Sequence, residues 1–369
     1  MRRYLKVIAL CVLAALLLWW FGRGLDWAGV RGAVAQADAG LIAAAVALVV
    51  LTYFVRALRW RALLAPLTPV SLRELFAATT VGFGAVFLVG RAGEVVRPAF
   101  LPLRDRRVRP SASFVTIGVE RIYDMAAVVV LFAANLLWFR VPGGGDAAAY
   151  ARVRLAGFVL LGGAVIGIAA LVWFRRNAPA AISWLDARLA HAPSPVGRIG
   201  SVLTGILAQL AQALGVLVDA RELAVTVGWT ALLWLLVVLA NWLILRAFGL
   251  PFGVSATIFV LGWELIGSLV PTPGGAAGAF HAAAAAGLVF LGVAREQAVA
   301  VSIILHLAVF APAVVLGLYY FVRSDVSLAQ LRGLVASDKG EGAGLSANAE
   351  TSDSTTRARR GVVEVEARG

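Results

Sequence analysis

Long apolar runs separated by short clusters of charge dominate the chain. Six of them are candidates to cross a hydrocarbon core, which takes roughly 18–20 predominantly apolar residues as a helix. They are Leu5–Phe21, Leu41–Val55, Phe114–Phe139, Leu155–Phe174, Leu223–Leu245 and Ala298–Val322. Each predicts a spanning α-helix. The strict alternation of a transmembrane β-barrel is absent.

Two further apolar stretches are interrupted. Phe76–Gly90 would be only about 22 Å long as a helix and contains Gly82, Gly84 and Gly90. Later, VSATIFVLGWELIGSLV is followed by PTPGGAAG and then AFHAAAAAGLVFLGV. Pro271 and Pro273 cannot continue a helix, and Gly274 with Gly275 permits a tight reversal. This pattern predicts a re-entrant hairpin.

Charge orients the runs. Arg2, Arg3 and Lys6 precede the first run, and Arg56, Arg59, Arg61 and Arg73 against Glu74 follow the second. The positive-inside rule places both segments in the cytoplasm. The segment after Gly90 is also basic, with Arg91, Arg97, Arg104, Arg106, Arg107 and Arg109 against Glu94 and Asp105. A spanning Phe76–Gly90 would put it outside, whereas a re-entrant helix returns it to the cytoplasm. Irregular backbone at membrane depth is tolerated only where protein or a water-filled cavity surrounds it. The hairpin around Pro271 then enters from the outer face. Two interrupted segments entering from opposite faces point to a midplane binding site.

Composition agrees with this picture. Hydrophobic residues make up 61% of the 369 and mean hydropathy is +0.88, against about half apolar in soluble domains. The net charge of +13 is read as basic cytoplasmic loops beside anionic lipid, not as a nucleic-acid surface. The N-terminus imitates a signal peptide, but Trp19 and Trp20 stand where small residues should precede cleavage, so a retained helix is expected. The single cysteine, Cys11, lies in that helix and supports neither a disulfide nor a metal cluster. Residues 196–220 carry leucines and valines at helical spacing opposite Gln209 and Gln212. They form an amphipathic surface helix or a helix packed on the bundle. Residues 337–369 have the composition of a disordered cytoplasmic tail.

An ionisable group at mid-helix costs roughly 2.5–3.5 kcal/mol on insertion scales, so the few present are informative. Glu120 and Asp124 share one helix face, and Arg121 can pair with Asp124 or reach Glu94. The group is either an ion-pair cluster that fixes packing or a polar pocket. Arg91 and Arg97 are either snorkelling interface residues or phosphate ligands beside the backbone N–H groups of Gly93. Arg104 reads as an ordinary loop charge. Glu264 has no opposite charge within a helical turn. His281 and His306 lie in apolar segments and His191 in a loop. A metal site is not expected, and a lone intramembrane histidine is first of all a hydrogen-bonded packing residue. The sequence shows no nucleophile motif, phosphate loop, HExxH or cysteine pair.

The motifs GRAGEVVRP (90–98), ERIYD (120–124) and PTPGGAAGAFHAA (271–283) occur in an order and spacing that resemble the lysylphosphatidylglycerol synthase transmembrane-region family, also called flippase-like domain proteins. The resemblance covers roughly residues 5–325. It implies an integral inner-membrane domain that moves lipids between leaflets. In multifunctional members that domain is fused to an aminoacyltransferase. This chain ends in a short polar tail after its last span, so a stand-alone member is expected and the synthase activity is not carried over. Relatives similar to this one are linked to hopanoid, glycolipid or envelope-lipid pathways. Many relatives carry an acidic residue just after the PTPGG turn, where this chain has Phe280 and His281.

The expectation is an all-α polytopic membrane protein with six full spans, a cytoplasmic re-entrant helix and an outer re-entrant hairpin, all within residues 1–325. Both termini face the cytoplasm of a bacterial inner membrane. Arg91, Gly93 and Arg97 would bind lipid phosphate. Glu94, Glu120, Arg121 and Asp124 would form the cavity charge network. Pro271, Pro273, Gly274, Gly275, Glu264 and His281 would form the outer gate. The expected task is movement of an anionic or modified lipid, without a cofactor, metal or nucleic acid. An active process would draw on a proton gradient. The rival readings are a membrane scaffold that recruits envelope-lipid biosynthesis enzymes, and an intramembrane enzyme using Glu120 and Asp124 as acid and base. No oligomeric state is legible.

Overall fold

The computed structural model describes residues 25–139 except Pro66, scattered residues between 151 and 188, residues 220–324 except Pro273, and Val326, Gln330 and Leu331. Two compact units divide the chain, Met1–Arg323 and Ser324–Gly369, and the helices below belong to the first. Among the described residues there is no strand. The protein is an all-α polytopic membrane protein.

Helix α1, Trp27–Gln36, and helix α2, Ala39–Leu64, each start at an aspartate. Asp26 accepts from the Ala28 amide, and Asp38 accepts from the Gly40 and Leu41 amides. Each satisfies first-turn N–H groups that the helix cannot. Helix α3, Leu72–Val89, starts at Ser71 with Glu74 in its first turn. It stops at Gly90, whose φ of +67° only glycine adopts freely. A 3-10 turn, Gly90–Val95, leads into α4, Val96–Arg104. Helix α5, Pro110–Trp138, has proline in its first turn, where no N–H partner is needed. Helix α6, Ala220–Ala247, is followed by α7, Val254–Gly267, and α8, Ala277–Phe290. Helix α9, Arg295–Val322, contains Pro312.

Four helices are long and apolar enough to cross a membrane: α2, α3, the 223–247 part of α6, and α9. Three of the expected spans lie in α2, α6 and α9. Phe114–Phe139 falls in α5, whose 29 residues make it about 43 Å long. Leu5–Phe21 lies outside the described residues, as do the 196–219 segment and the 337–369 tail. Within Leu155–Phe174 the described residues are helical.

Helix α3 begins four residues before the expected Phe76, and at 18 residues it is long enough to cross. The chain nevertheless turns back. A Cβ on Gly93 would stand 2.3 Å from the Ala85 backbone, and one on Gly82 would meet the Arg97 side chain at 2.5 Å. The return arm can therefore lie on α3 only because both positions are glycine. At the base, Arg104 pairs with Glu74 through two hydrogen bonds of 2.6 and 2.8 Å. The hairpin thus ends where it began. Arg104 is its clasp and not an ordinary loop charge.

Helices α7 and α8 form the second hairpin. Their 14 residues each reach only about 21 Å. Gly267 lies against Ala279 and Phe280, and Gly287 against Trp263, so the arms run antiparallel. Its base joins the ends of α5 and α6. Phe139 stacks on Phe259 at 4.6 Å, and Trp242 donates to the Phe252 carbonyl. One apolar core of Leu25, Val30, Phe139, Leu245, Leu250, Leu288 and Val299 closes that end. The first hairpin opens from the opposite end, where α3 begins and α9 finishes, with Phe76 edge-on to Tyr320.

Candidate functional site

The two hairpins meet at their tips. The last carbonyls of a helix lack partners within it. At the end of α3, the Phe87 carbonyl accepts from both the Gly274 amide, at 2.7 Å, and the Gly275 amide, at 3.2 Å. Gly274, Gly275 and Ala276 all have positive φ, of 74°, 61° and 63°. Two glycines make this turn possible, and Ala276 carries a strain of about 1–2 kcal/mol. Arg91 Nε donates to the Ser268 carbonyl at 3.3 Å. The Phe87 ring packs on His306 and Phe310.

His281 and His306 stand behind this contact with ring centroids 4.8 Å apart. His281 Nδ1 faces the Ser302 carbonyl and His306 Nε2 faces the Gly275 carbonyl, each at 3.3 Å. A carbonyl only accepts, so each facing nitrogen carries the proton. His306 thereby pins the glycine turn to α9.

Below the tips lies a charge cluster. Arg59 is completely buried and grips Asp124 with two bonds of 2.8 and 3.1 Å. It also reaches Glu120 at 2.9 Å and the Thr230 hydroxyl at 3.0 Å. Arg97 donates to the same Glu120 oxygen at 2.6 Å. Its guanidinium lies 4.4 Å over the Trp60 ring, whose indole N–H donates to Thr116. Arg56 stands 3.6 Å from Asp124 and over the Phe83 ring. Three guanidinium groups face two carboxylates, so the cluster carries one positive charge in excess.

The structure brings Arg97, expected as a phosphate ligand, together with Glu120 and Asp124 of the expected charge network. Other expected members stand elsewhere. The Glu94 side chain is 41% exposed and lies 4.0 Å from that of Arg91, itself 46% exposed, so neither joins the buried cluster. Among the described residues Arg121 has no carboxylate within ion-pair distance. Its predicted contacts to Asp124 and Glu94 are absent, because Arg59 reaches Asp124 from another helix. Arg91 and Arg97 do not converge on one ligand. Arg97 is occupied by Glu120, and Arg91 sits at the tip contact. Gly93 serves the close approach to α3. Pro271 lies in the tip between Gly267 and Gly274, and Pro273 lies outside the described residues.

Sequence reasoning missed Arg56 and Arg59. After the second apolar run both look like loop charges, but α2 continues to Leu64 and carries them inward. The available signal was spacing: Tyr53, Arg56, Trp60 and Leu63 recur on one helical stripe, with Arg59 beside it.

Between the cluster and the tips lies a cavity of about 170 Å³. Tyr53 and Arg56 from α2, Asn241 from α6, Glu264 and Ser268 from the second hairpin, and Phe310 from α9 line it. Glu264 is buried, with one carboxyl oxygen unpartnered. Tyr53 donates its hydroxyl to the Val309 carbonyl, near Pro312, where the helix hydrogen-bond ladder is interrupted.

Fold and site together define a polytopic membrane domain in which two helical hairpins, opening from opposite ends, meet near a buried charge cluster with one positive charge in excess. The chain belongs to the lysylphosphatidylglycerol synthase transmembrane-region family, whose profile matches residues 7–317. It is also 25% identical, over 362 aligned positions, to a protein named glycosyltransferase AglD from Haloferax volcanii. That match covers 88% of this chain and 55% of the relative, so the chain spans about half the length of that protein. No solved structure matches the chain.

Proposed function

We propose that this protein carries phosphate-bearing lipids between the leaflets of a bacterial inner membrane and leaves them chemically unchanged. The observation that carries this reading is the meeting of the hairpin tips beside the Arg56 pocket. Neither hairpin passes through the bilayer alone, so parting them opens a path without dismantling a spanning helix. The Phe87 carbonyl and its two amide donors form the closed contact. Arg56 is the guanidinium left over when the carboxylates are matched, and its fork suits phosphate. Family membership supports a lipid-related role. The relative named as a glycosyltransferase brings sugar-bearing lipid phosphates into the candidate set.

The test is leaflet exchange in proteoliposomes, using acyl-labelled phosphatidylglycerol and a membrane-impermeant quencher. A charge-assisted hydrogen bond is worth about 1.5–3 kcal/mol, so Arg56→Gln should slow exchange roughly 10- to 100-fold. Arg106→Gln, at an exposed loop position, should leave it unchanged. Equal rates for wild type and Arg56→Gln would remove Arg56 from the path. If wild-type protein leaves the inner leaflet protected, with native lipids and an imposed proton gradient included, the scaffold reading takes over.

A further inference from the structure

Among the described residues three carboxyl groups are buried, and two of them are tied. Arg59 and Arg97 hold Glu120, while Arg59 holds Asp124 with Arg56 3.6 Å away. The third is Glu264 on α7. It has no cationic group within ion-pair distance among the described residues, and its Oε1 has no hydrogen-bond partner. No partner fixes its charge. Tyr53, Arg56 and Glu264 are the titratable residues in the cavity lining. Tyr53 is engaged with the Val309 carbonyl. Of the elements packed on α7, α5 brings the apolar Val128, Leu131 and Phe132, and α6 brings the neutral Asn241 to the cavity. Helix α8 carries His281, which faces the Ser302 carbonyl and His306 of α9.

A nearby positive charge favours an ionised carboxyl, whereas burial and a nearby negative charge favour the neutral acid. The charge cluster carries one positive charge in excess, so cluster and Glu264 together are neutral when Glu264 is ionised. A phosphodiester held by Arg56 adds one negative charge. The loaded cavity is then neutral only when Glu264 is protonated. We infer that Glu264 is a proton site coupled to the headgroup site, so that an anionic phosphodiester lipid and a proton enter and leave the cavity together. The inference rests on the carrier reading above and adds its coupling ion. The carboxylate takes the proton from water on the side where the cavity loads and returns it to water where the cavity unloads. Phosphatidylcholine brings its own positive charge and needs no proton, so a proton gradient acts on anionic lipid alone.

The test counts protons. Short-chain phosphatidylglycerol is titrated into the purified full-length protein by calorimetry over a pH series, in two buffers of different ionisation enthalpy. Wild type should take up about one proton per lipid bound. The bound form is the protonated one, so affinity should be highest at low pH and fall by up to about tenfold per pH unit once the empty protein ionises. Glu264→Gln is permanently neutral. It should bind at the wild-type low-pH affinity at every pH and take up no proton, while Glu264→Asp should keep the uptake. Short-chain phosphatidylcholine should bind wild type without uptake. In proteoliposomes a pH difference should drive phosphatidylglycerol toward the leaflet on the alkaline side in wild type, and Glu264→Gln should exchange it without regard to the gradient. The wild-type proton count decides even if Glu264→Gln does not fold. No uptake in wild type, or uptake that survives Glu264→Gln, would overturn the proton site, and exchange measured without a gradient would still support the carrier reading. Proton-linked binding with no exchange under any gradient would overturn the carrier reading and, with it, the coupling.

Discussion

Replacing Glu120 with glutamine removes one negative charge from a site that has none to spare. Glu120 is completely buried and accepts from Arg97 at 2.6 Å and stands 2.9 Å from Arg59. Three guanidinium groups would then face Asp124 alone, raising the buried excess from one positive charge to two. Arg59 keeps its two bonds to Asp124, so the loss falls first on Arg97. That side chain is buried, and its Nε and Nη2 already lack partners. Its stacking on Trp60 recovers only about 1–2 kcal/mol. Breaking a buried pair by removing one partner typically costs 3–5 kcal/mol. Against a total stability on the order of 5–15 kcal/mol, that is a large share. The assay is equilibrium unfolding in mixed micelles for wild type, Glu120→Gln, Arg97→Met and the double variant. Each single change should lose about 3 kcal/mol or more, and the double variant should lose less than their sum by about 1–3 kcal/mol. Additive losses, or a Glu120→Gln loss below about 1 kcal/mol, would refute the view that Arg97 and Glu120 hold the first hairpin to α5.

The other expectations concern the hairpins. Gly93→Ala places a Cβ 2.3 Å from the Ala85 backbone and should destabilise by about 1–3 kcal/mol or prevent the return arm from seating, read in the same unfolding assay. Gly275→Ala combines a φ of +61° with a 2.8 Å approach to Phe310, so it should lose about 1–2 kcal/mol and weaken the tip contact. Arg104→Ala should cost more stability than Arg106→Ala, because Arg104 holds Glu74 through two bonds while Arg106 is exposed. In a Cys11→Ser background, Leu67→Cys and Arg106→Cys should react with an impermeant maleimide from one side of the membrane, and Ala294→Cys from the other. Labelling of Leu67→Cys and Arg106→Cys from opposite sides would make α3 a full crossing.

The hairpins were legible because their signals are local. Pro271, Gly274 and Gly275 interrupt an apolar run, and a basic segment after Gly90 cannot follow an outward crossing. The pairing of Arg97 with Glu120 was half legible, since an arginine and a glutamate in apolar surroundings must find partners, but sequence does not say which. Arg59 illustrates the limit. Arg56, Arg59 and Arg61 at the end of an apolar run look like a helix emerging into water. Only the extra two turns of α2 and the arrival of α5 beside it turn Arg56 and Arg59 inward. Glu94 failed in the opposite sense, because a charge next to a glycine turn can face either way and the 3-10 turn directs it to the surface. The cavity lining comes from α2, α6, the second hairpin and α9, so no spacing rule could have gathered it.

The central claim is that lipid passes where the hairpin tips part, and a reversible lock on that contact tests it most directly. Arg91 and Ser268 face each other across the tips, with the Arg91 Nε 3.3 Å from the Ser268 carbonyl. In a Cys11→Ser background, Arg91→Cys with Ser268→Cys can be bridged by a short, reducible bis-thiol cross-linker and phosphatidylglycerol exchange followed before and after reduction. The account predicts that exchange stops when the tips are bridged and resumes when the bridge is cut, while each single-cysteine variant is unaffected by the reagent. Exchange that continues at the same rate through a fully formed bridge would contradict it.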